Sequence, residues 1–390
     1  MRILSIETSA DETAISIVDT EGAFPTAHYT LLGNGLRSQI ELHTQYGGIF
    51  PAMAKREHAK ALVPLLTQAL TEAELLEVAT NEPGDELKHT LTQLLEREPE
   101  LAEALIAFLQ AHALPEVGLI AVTSGPGLEP ALWVGLNFAK ALALILGCPV
   151  VPINHMEGHI LASIFDAVED NEIAAVEFPA IALLISGGHT ELVLMAGWGQ
   201  YEKIGQTRDD AVGEAFDKVA RLMGLPYPGG PEIGLRANEA RAANLPPFKD
   251  KLPRPMINSG DFDFSFSGLK TAVLYSINNQ ELTEDDRRSL SRDFEDAVTE
   301  VLLKKTTTAI ETHDAKTLIV GGGVSASAHL REVFTSTLIK SHPDVTVYFP
   351  PRELSTDNSI MIALAGHARA AEARTAGAIS LIKADGNRSL

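Results

Sequence analysis

Two histidines four positions apart, His155 and His159 of "NHMEGHI", are the residues whose types and spacing most readily suggest joint chemistry. If Asn154 caps a helix over this stretch, the imidazoles lie about 40° apart around its axis, while Glu157 projects roughly 200° away from His155. The histidines share a face and the glutamate does not. That face can present two nitrogens to one metal, but it is not HExxH, where the acid follows the first histidine and acts as a base at zinc. Histidines at this spacing are often incidental, and a third ligand has to come from elsewhere in the chain.

A second constellation lies in "RDDAVGEAFDKVARLMG", where Asp210, Glu214 and Asp217 fall at i, i+4 and i+7 and stack carboxylates along one helical face. Acids at a helix N-terminus offset its dipole, which suffices for Asp209 and Asp210. Asp217 sits deeper, beside Phe216 and Val219, where a carboxylate could accept hydrogen bonds from ribose hydroxyls. Glycine turns in "SGPG" (124–127), "SGGHT" (186–190), "YPGGP" (227–231) and "VGGGVSAS" (320–327) let backbone N–H groups converge on an anion. Each alone is explained by an ordinary tight turn; together, at strand ends, they suggest a phosphate-bearing ligand. None is a Walker A loop or a GxGxxG fingerprint.

The elements that must position these residues alternate. "RILSIE", "TSADET" and "AISIVD" read as strand, turn and strand, and the arrangement returns as "AIALLIS", "GGHT" and "ELVLMAG". Helical stretches "EHAKALVPLLTQALTEAELL" and "ALWVGLNFAKALALILG" lie between them, separated by strand-like "LIAVTSG". Two α/β lobes around a cleft follow from this order. Residues 80–116 and 166–178 read as acidic insertions, the longer one helical.

Composition bounds the rest. A chain of 390 residues, 45% hydrophobic and 21% charged, is long enough for two cores. Its one cysteine, Cys148, forms no intramolecular disulfide, and with no signal-like N-terminus this favours a cytoplasmic address. Asn137 and Lys140 interrupt the most membrane-like segment, so a buried helix is expected there and no membrane association. A formal charge of −21 argues against broad adhesion to nucleic acid. Local basic stretches remain at Lys55, Arg56, His58 and Lys60 and at Lys249, Lys251 and Arg254, for which solvated surface is the commoner explanation.

The motifs "IETSADETAIS", "SQIELHTQYGGIFPAMAKREH", "GPG", "NHMEGHI", "LLISGGHTELV", "DDAVGEAFDKVARLMGLPYPGGP", "FSFSGLKTAV", "VGGGVSAS" and "STDNSIMIA", in this order, resemble the TsaD family, formerly called Gcp. These are bacterial tRNA N6-adenosine threonylcarbamoyltransferases, and the similarity covers nearly the whole chain apart from the insertions. The resemblance implies an α/β fold of two lobes, actin-like and related to sugar kinases and Hsp70 (the ASKHA fold), with duplicated mixed sheets and flanking helices. Lobes over residues 1–153 and 154–353, with a helix returning over 354–390, are expected.

It also implies transfer of threonylcarbamoyl from threonylcarbamoyl-AMP to N6 of adenosine 37 in tRNAs reading codons that begin with A, with release of AMP. By that similarity His155, His159 and Asp357 bind one divalent metal, Fe2+ or Zn2+; without it, Asp357 reads as the N-cap of the last long helix. Leu184, Ile185, Ser186, Gly187, Gly188, Asp217, Gly230 and Ser327 match nucleotide-contacting positions. Glu12 and His189 are candidates for taking the N6 proton, and a hairpin hydrogen bond explains His189 equally well. Lys270 has a surface ion pair as its simpler explanation. A TsaB-like partner, a TsaE-like ATPase and tRNA are implied as partners, in a homodimer or heterodimer.

Two positions depart from the family pattern. Ala10 stands where cysteine is usual, and Ser327 where asparagine is usual, which predicts an altered or water-bridged nucleotide contact. Rival functions are a phosphotransferase or ATPase of the same fold and a non-catalytic nucleotide-binding scaffold. The first prefers oxygen-held Mg2+ over imidazoles. The second sits poorly with an intact histidine pair.

Overall fold

The computed structural model describes residues 1–80, 82–166, 170–249, 251–277, 281–375 and 377–390. They divide into two compact units: residues 1–43, 49–174 and 357–389 form the first, and 44–48, 175–356 and 390 the second. Residues 167–169 of the shorter acidic insertion and residue 81 of the longer one lie outside the described residues.

In chain order the first unit carries β1 (Arg2–Glu7), β2 (Glu12–Glu21), β3 (His28–Ser38), α1 (Ile40–Thr44), α2 (Pro51–Glu72), β4 (Glu77–Val78), α3 (Asp85–Leu94), α4 (Pro99–Ala111), β5 (His112–Ala113), β6 (Leu119–Gly125), α5 (Glu129–Leu146), β7 (Val150–Asn154), α6 (His155–Ser163), β8 (Phe165–Asp166) and β9 (Glu172–Ile173). The second carries β10 (Ala180–Ile185), β11 (Thr190–Gly197), β12 (Gln200–Gln206), α7 (Val212–Leu222), α8 (Gly229–Ala242), α9 (Ser267–Ser276), α10 (Glu284–His313), β13 (Thr317–Gly321), α11 (Ala328–Ser341) and β14 (Thr346–Tyr348). The chain then returns to the first unit as α12 (Ser359–Ala368).

The two principal sheets share one plan. In the first the order is β7-β6-β1-β2-β3, continued by β9 and β8, and in the second β12-β11-β10-β13-β14. Within each, the opening strand pairs antiparallel with the next, which pairs antiparallel with the third, and a fourth and fifth strand add parallel on the other side of the first. The duplication hinted at by the two hairpins is therefore written into strand order and sense. β6, β10 and β13 are buried along their whole length, as parallel strands covered on both faces must be, which explains why their sequences run apolar without alternation.

The observed division moves the expected boundary at 153/154. α6, β8 and β9 stay with the first unit because β9 pairs with β3 at His28↔Glu172, and α12 packs against β1, β2 and α6. Residues 80–116 contain α3 and α4, whose Leu91, Leu101 and Leu105 are buried in the first core. The membrane-like segment becomes α5, two-thirds buried, followed by β7. Inside it, Lys140 donates to the Ile382 carbonyl at 2.8 Å, which satisfies a cation in a largely apolar helix.

α2 begins with Pro51 at its first turn, where a missing N–H costs nothing. It lies close on β3 because Gly33 and Gly35 present no side chain: a Cβ at Gly33 would strike the Ala69 carbonyl, and one at Gly35 would sit 2.8 Å from that of Leu65. This close approach sets the depth of α2, and with it His58. Gly33→Ala is expected to cost about 1–3 kcal/mol or more by overpacking against backbone, read as a lower denaturation midpoint of the full-length chain.

Candidate metal centre

Asn154 starts α6 by accepting hydrogen bonds from the N–H groups of Met156 at 2.9 Å and Glu157 at 3.4 Å. His155 and His159 then stand one turn apart on one face, rings edge-to-face with centroids 4.7 Å apart. Asn358, accepting from Met361 N–H at 2.9 Å, caps α12. The cap role considered for Asp357 thus belongs to its neighbour, and Asp357 is free to turn toward α6. Its Oδ1 lies 3.3 Å from His155 Nε2 and 3.2 Å from His159 Nε2.

Among the described residues this is the one group of three such side chains whose ligand atoms converge, all within 4.8 Å of one another. The donors fit a divalent metal. Bonds of about 2.1 Å at tetrahedral to octahedral angles give ligand separations of about 3.0–3.4 Å, which the two carboxylate–imidazole distances meet, and two imidazoles with one carboxylate suit Fe2+ or Zn2+ better than Mg2+. Burial alone would strip His155 of its charge, but the carboxylates of Asp357 and Glu7 reverse this and raise its pKa well above the ordinary value. His159 shifts down, from burial and from the neighbouring His155. Burial also opposes ionisation of Asp357, yet the imidazoles hold its carboxyl well below the usual range. The carboxylates that attract a proton here also attract a metal cation, which must displace that proton from the ligating nitrogen.

Glu157 serves elsewhere. It is buried and takes the Arg369 guanidinium at 3.0 and 3.1 Å from Nε and 2.9 Å from Nη2, fastening α6 to the far end of α12. Gly158 lets the two helices approach, since a Cβ there would meet Met361 Cγ at 3.1 Å. A hydrolytic role for Glu157 at the histidines is thereby ruled out by direction.

The turn between β1 and β2 forms another wall. Burial, then the charges of Asp11 and Asp357, push Glu12 up to about 10, and Asp11 is raised chiefly by burial. In this arrangement Glu12 is an acid at neutral pH, with Ser38 donating to it at 3.1 Å. His58 supports the turn from beneath: Nε2–H donates to the Ala10 carbonyl at 3.0 Å, while Nδ1 accepts from Thr13 at 2.8 Å and Gln39 at 3.3 Å. Alanine at position 10 leaves this carbonyl contact intact.

The residues matched to nucleotide positions all lie in the second unit. Leu184 and Ile185 are fully buried at the end of β10, so only their backbone can be offered to a ligand. Ser186, Gly187, Gly188 and His189 form the turn, closed by Ser186 N–H to the His189 carbonyl at 2.9 Å and by His189 N–H to Ser186 Oγ at 3.1 Å. Open space adjoins Gly187, Gly188 and Gly230. Leu184 pairs with Gly321, so the turn adjoins the glycine run after β13. Asp217 accepts from Gly229 N–H at 2.7 Å, tying α7 to the start of α8. Ser327 caps α11 through Leu330 N–H at 3.2 Å and donates to Glu295 at 3.1 Å.

The carboxylate stack is corrected by the structure. α7 begins at Val212, so Asp210 precedes it, and Lys218 bridges Asp210 and Glu214 at 2.7 and 2.8 Å, offsetting their repulsion. Asp209 does not serve α7 either. It accepts from Ser265, Ser267 and the N–H groups of Phe266 and Ser267 at the start of α9. Lys270 faces Asp210 at 3.7 Å. Both candidate basic stretches are paired as well, Lys55 with Glu98, Lys60 with Glu57, and Arg254 with Glu300. Sequence reasoning passed over Glu7, Ser9, Thr123 and Arg369 as partners of the centre; the only local signal was a charged residue closing an apolar strand at Glu7.

His58 makes one pH dependence testable. Burial lowers it to about 4. Between about pH 6.5 and 4 the unfolded chain therefore binds a proton that the folded chain refuses, so His58 contributes stability that is complete above that window and is lost as pH falls through it. His58→Gln is expected to flatten the fall of the unfolding midpoint over that range, measured beside the parent chain in the same buffers.

A sequence model of the TsaD family, tRNA N6-adenosine threonylcarbamoyltransferase, matches residues 30–80 and 94–364. The unmatched residues between these segments include most of α3. Curated relatives bearing that enzyme name are 40% identical over 370 residues in Nitrosomonas europaea, covering 95% of this chain and 93% of the relative. In Aromatoleum aromaticum the figures are 41% over 377 residues, 97% and 94%. In Chromobacterium violaceum they are 39% over 386 residues, 98% and 96%. Matched along nearly its whole length, the chain belongs to the TsaD family of tRNA N6-adenosine threonylcarbamoyltransferases.

Proposed function

We propose that this transferase moves threonylcarbamoyl from threonylcarbamoyl-AMP to N6 of adenosine 37 in tRNAs reading codons that begin with A. N6 bonds to the carbamoyl carbon, the bond from that carbon to the phosphate oxygen breaks, AMP leaves, and N6 gives up one proton. The observation that carries the metal-assisted form is the convergence of His155 Nε2, His159 Nε2 and Asp357 Oδ1. These three would hold Fe2+, or alternatively Zn2+, which supplies a Lewis acid for phosphate or carbonyl oxygens.

The lone pair of N6 is delocalised into adenine, so rate must come from alignment and from stabilising charge on the attacked carbonyl. For alignment, the N–H groups of the turn from Leu184 to Gly188 and the start of α8 at Gly230 are proposed to cradle the acyl-adenylate, with Asp217 turned to ribose. Ser327 already caps α11 and bonds Glu295, so its contact with nucleotide is proposed to run through water. Glu12 and His189 are the candidates proposed for taking the N6 proton.

Imidazole donors favour this reading over a phosphotransferase, which would hold Mg2+ through oxygens. The charge of −21 and the pairing of both basic stretches support reliance on other proteins to bring in tRNA. A TsaB-like partner in a heterodimer, or a homodimer, and a TsaE-like ATPase, all in the cytoplasm, complete the proposal.

The test is a reconstituted reaction with threonylcarbamoyl-AMP, tRNA and partner proteins, read by nucleoside analysis. Modified adenosine is expected with the parent chain, lost on chelation and restored by Fe2+ or Zn2+, and lowered at least about 100-fold in His155→Ala. ATP turnover without modified adenosine would instead establish the phosphotransferase, and ligand binding without either reaction the scaffold.

A further inference from the structure

An imidazole that binds a metal keeps a single N–H, and its surroundings decide which nitrogen carries it. His155 has polar partners on both. Nε2 faces Asp357 Oδ1 at 3.3 Å, while Nδ1 lies 3.1 Å from Glu7 Oε2 and 3.2 Å from Ser9 Oγ. Glu7 closes β1 and is completely buried, at 0% exposure. Its other oxygen accepts the Ser9 N–H at 2.5 Å, and Thr123 on β6 donates its hydroxyl to Oε2 at 2.6 Å.

Two assignments compete. With the hydrogen on Nδ1, the ring donates to Glu7, the Ser9 hydroxyl turns to Asp357 Oδ2, 3.5 Å away, and the bare Nε2 faces Asp357 Oδ1 at 3.3 Å, two acceptors that a metal cation joins. With the hydrogen on Nε2, the Nδ1 lone pair confronts a carboxylate oxygen at 3.1 Å inside the protein, where no solvent screens the repulsion. Only the first assignment aims the free lone pair of Nε2 at the point where His159 and Asp357 converge.

We propose that Glu7 is a positioning residue that holds His155 as its Nδ1–H tautomer and so presents Nε2 to the metal, with Ser9 steadying the second oxygen of Asp357. The inference rests on the metal reading above. A carboxylate on the far nitrogen fixes the ring and raises its basicity, and its loss typically costs 10–100-fold in metal affinity. Glutamine at position 7 has the same shape but one donor end. Whichever way its amide turns, an NH2 group confronts either the Ser9 N–H or the Nδ1–H.

The experiment uses the full-length chain loaded with Zn2+ alone. In protein carrying 15N-labelled histidine, the His155 resonances, assigned by their absence from His155→Asn, are expected to show a protonated Nδ1 and a metal-bound Nε2. Chelator competition is expected to give a Zn2+ affinity lowered about 10–100-fold in Glu7→Gln, with unchanged circular dichroism. Unchanged affinity in a folded Glu7→Gln overturns the proposal. So does a metal-bound Nδ1 in the parent chain, a measurement that stands even if the variant does not fold. Full Zn2+ affinity in His155→Ala overturns the metal reading itself, whereas loss there without loss in Glu7→Gln overturns only the role of Glu7.

Discussion

Everything at the centre depends on one carboxylate shared by two buried imidazoles. Asp357 Oδ1 lies between His155 Nε2 and His159 Nε2, and its reach is set by three separate pieces of chain. α6 supplies the histidines, and α12 places Asp357 just ahead of its own cap. The hairpin of β1 and β2 supplies Glu7 and Ser9 behind His155. None of these positions the group alone. The Glu157–Arg369 ion pair and the close approach at Gly158 lock α6 to α12, so the acid that helical geometry sets off the histidine face acts as a fastener at the opposite side of the helix.

Charge explains why such fastening is needed. Asp11 and Glu12 lie in a turn near Asp357, where burial disfavours their ionisation and the neighbouring carboxylates raise the cost further. Burial and the neighbouring carboxylates push Glu12 up to about 10, and Ser38 donates to it, while Ser9 and Thr123 donate to Glu7. His58 stays neutral beneath the same turn and bonds only uncharged groups, so it adds rigidity without adding another charge.

The two units share a strand plan but spend it differently. The first hairpin turn carries acids and stands against two histidines, and the second carries Gly187 and Gly188 with open space beside them. A duplicated α/β framework thus gives two turns of similar position and different composition, one acidic and one of glycines with open space beside them.

Local rules written in the sequence were enough for several features. The side chain of Asn154 and the i, i+4 spacing placed both imidazoles on one face, because capping and helical period depend only on neighbours along the chain. Apolar runs with an isolated lysine gave α5 as an interior helix for the same reason. What only the tertiary structure decided was partnership. Nothing local distinguishes Asp357 from Asn358 as the cap, predicts that Lys218 offsets Asp210 and Glu214, or assigns Asp209 to a helix more than fifty residues away. Periodicity tells which face a side chain occupies, but the group that meets that face comes from distant chain, and its identity is fixed only when the sheets and helices pack.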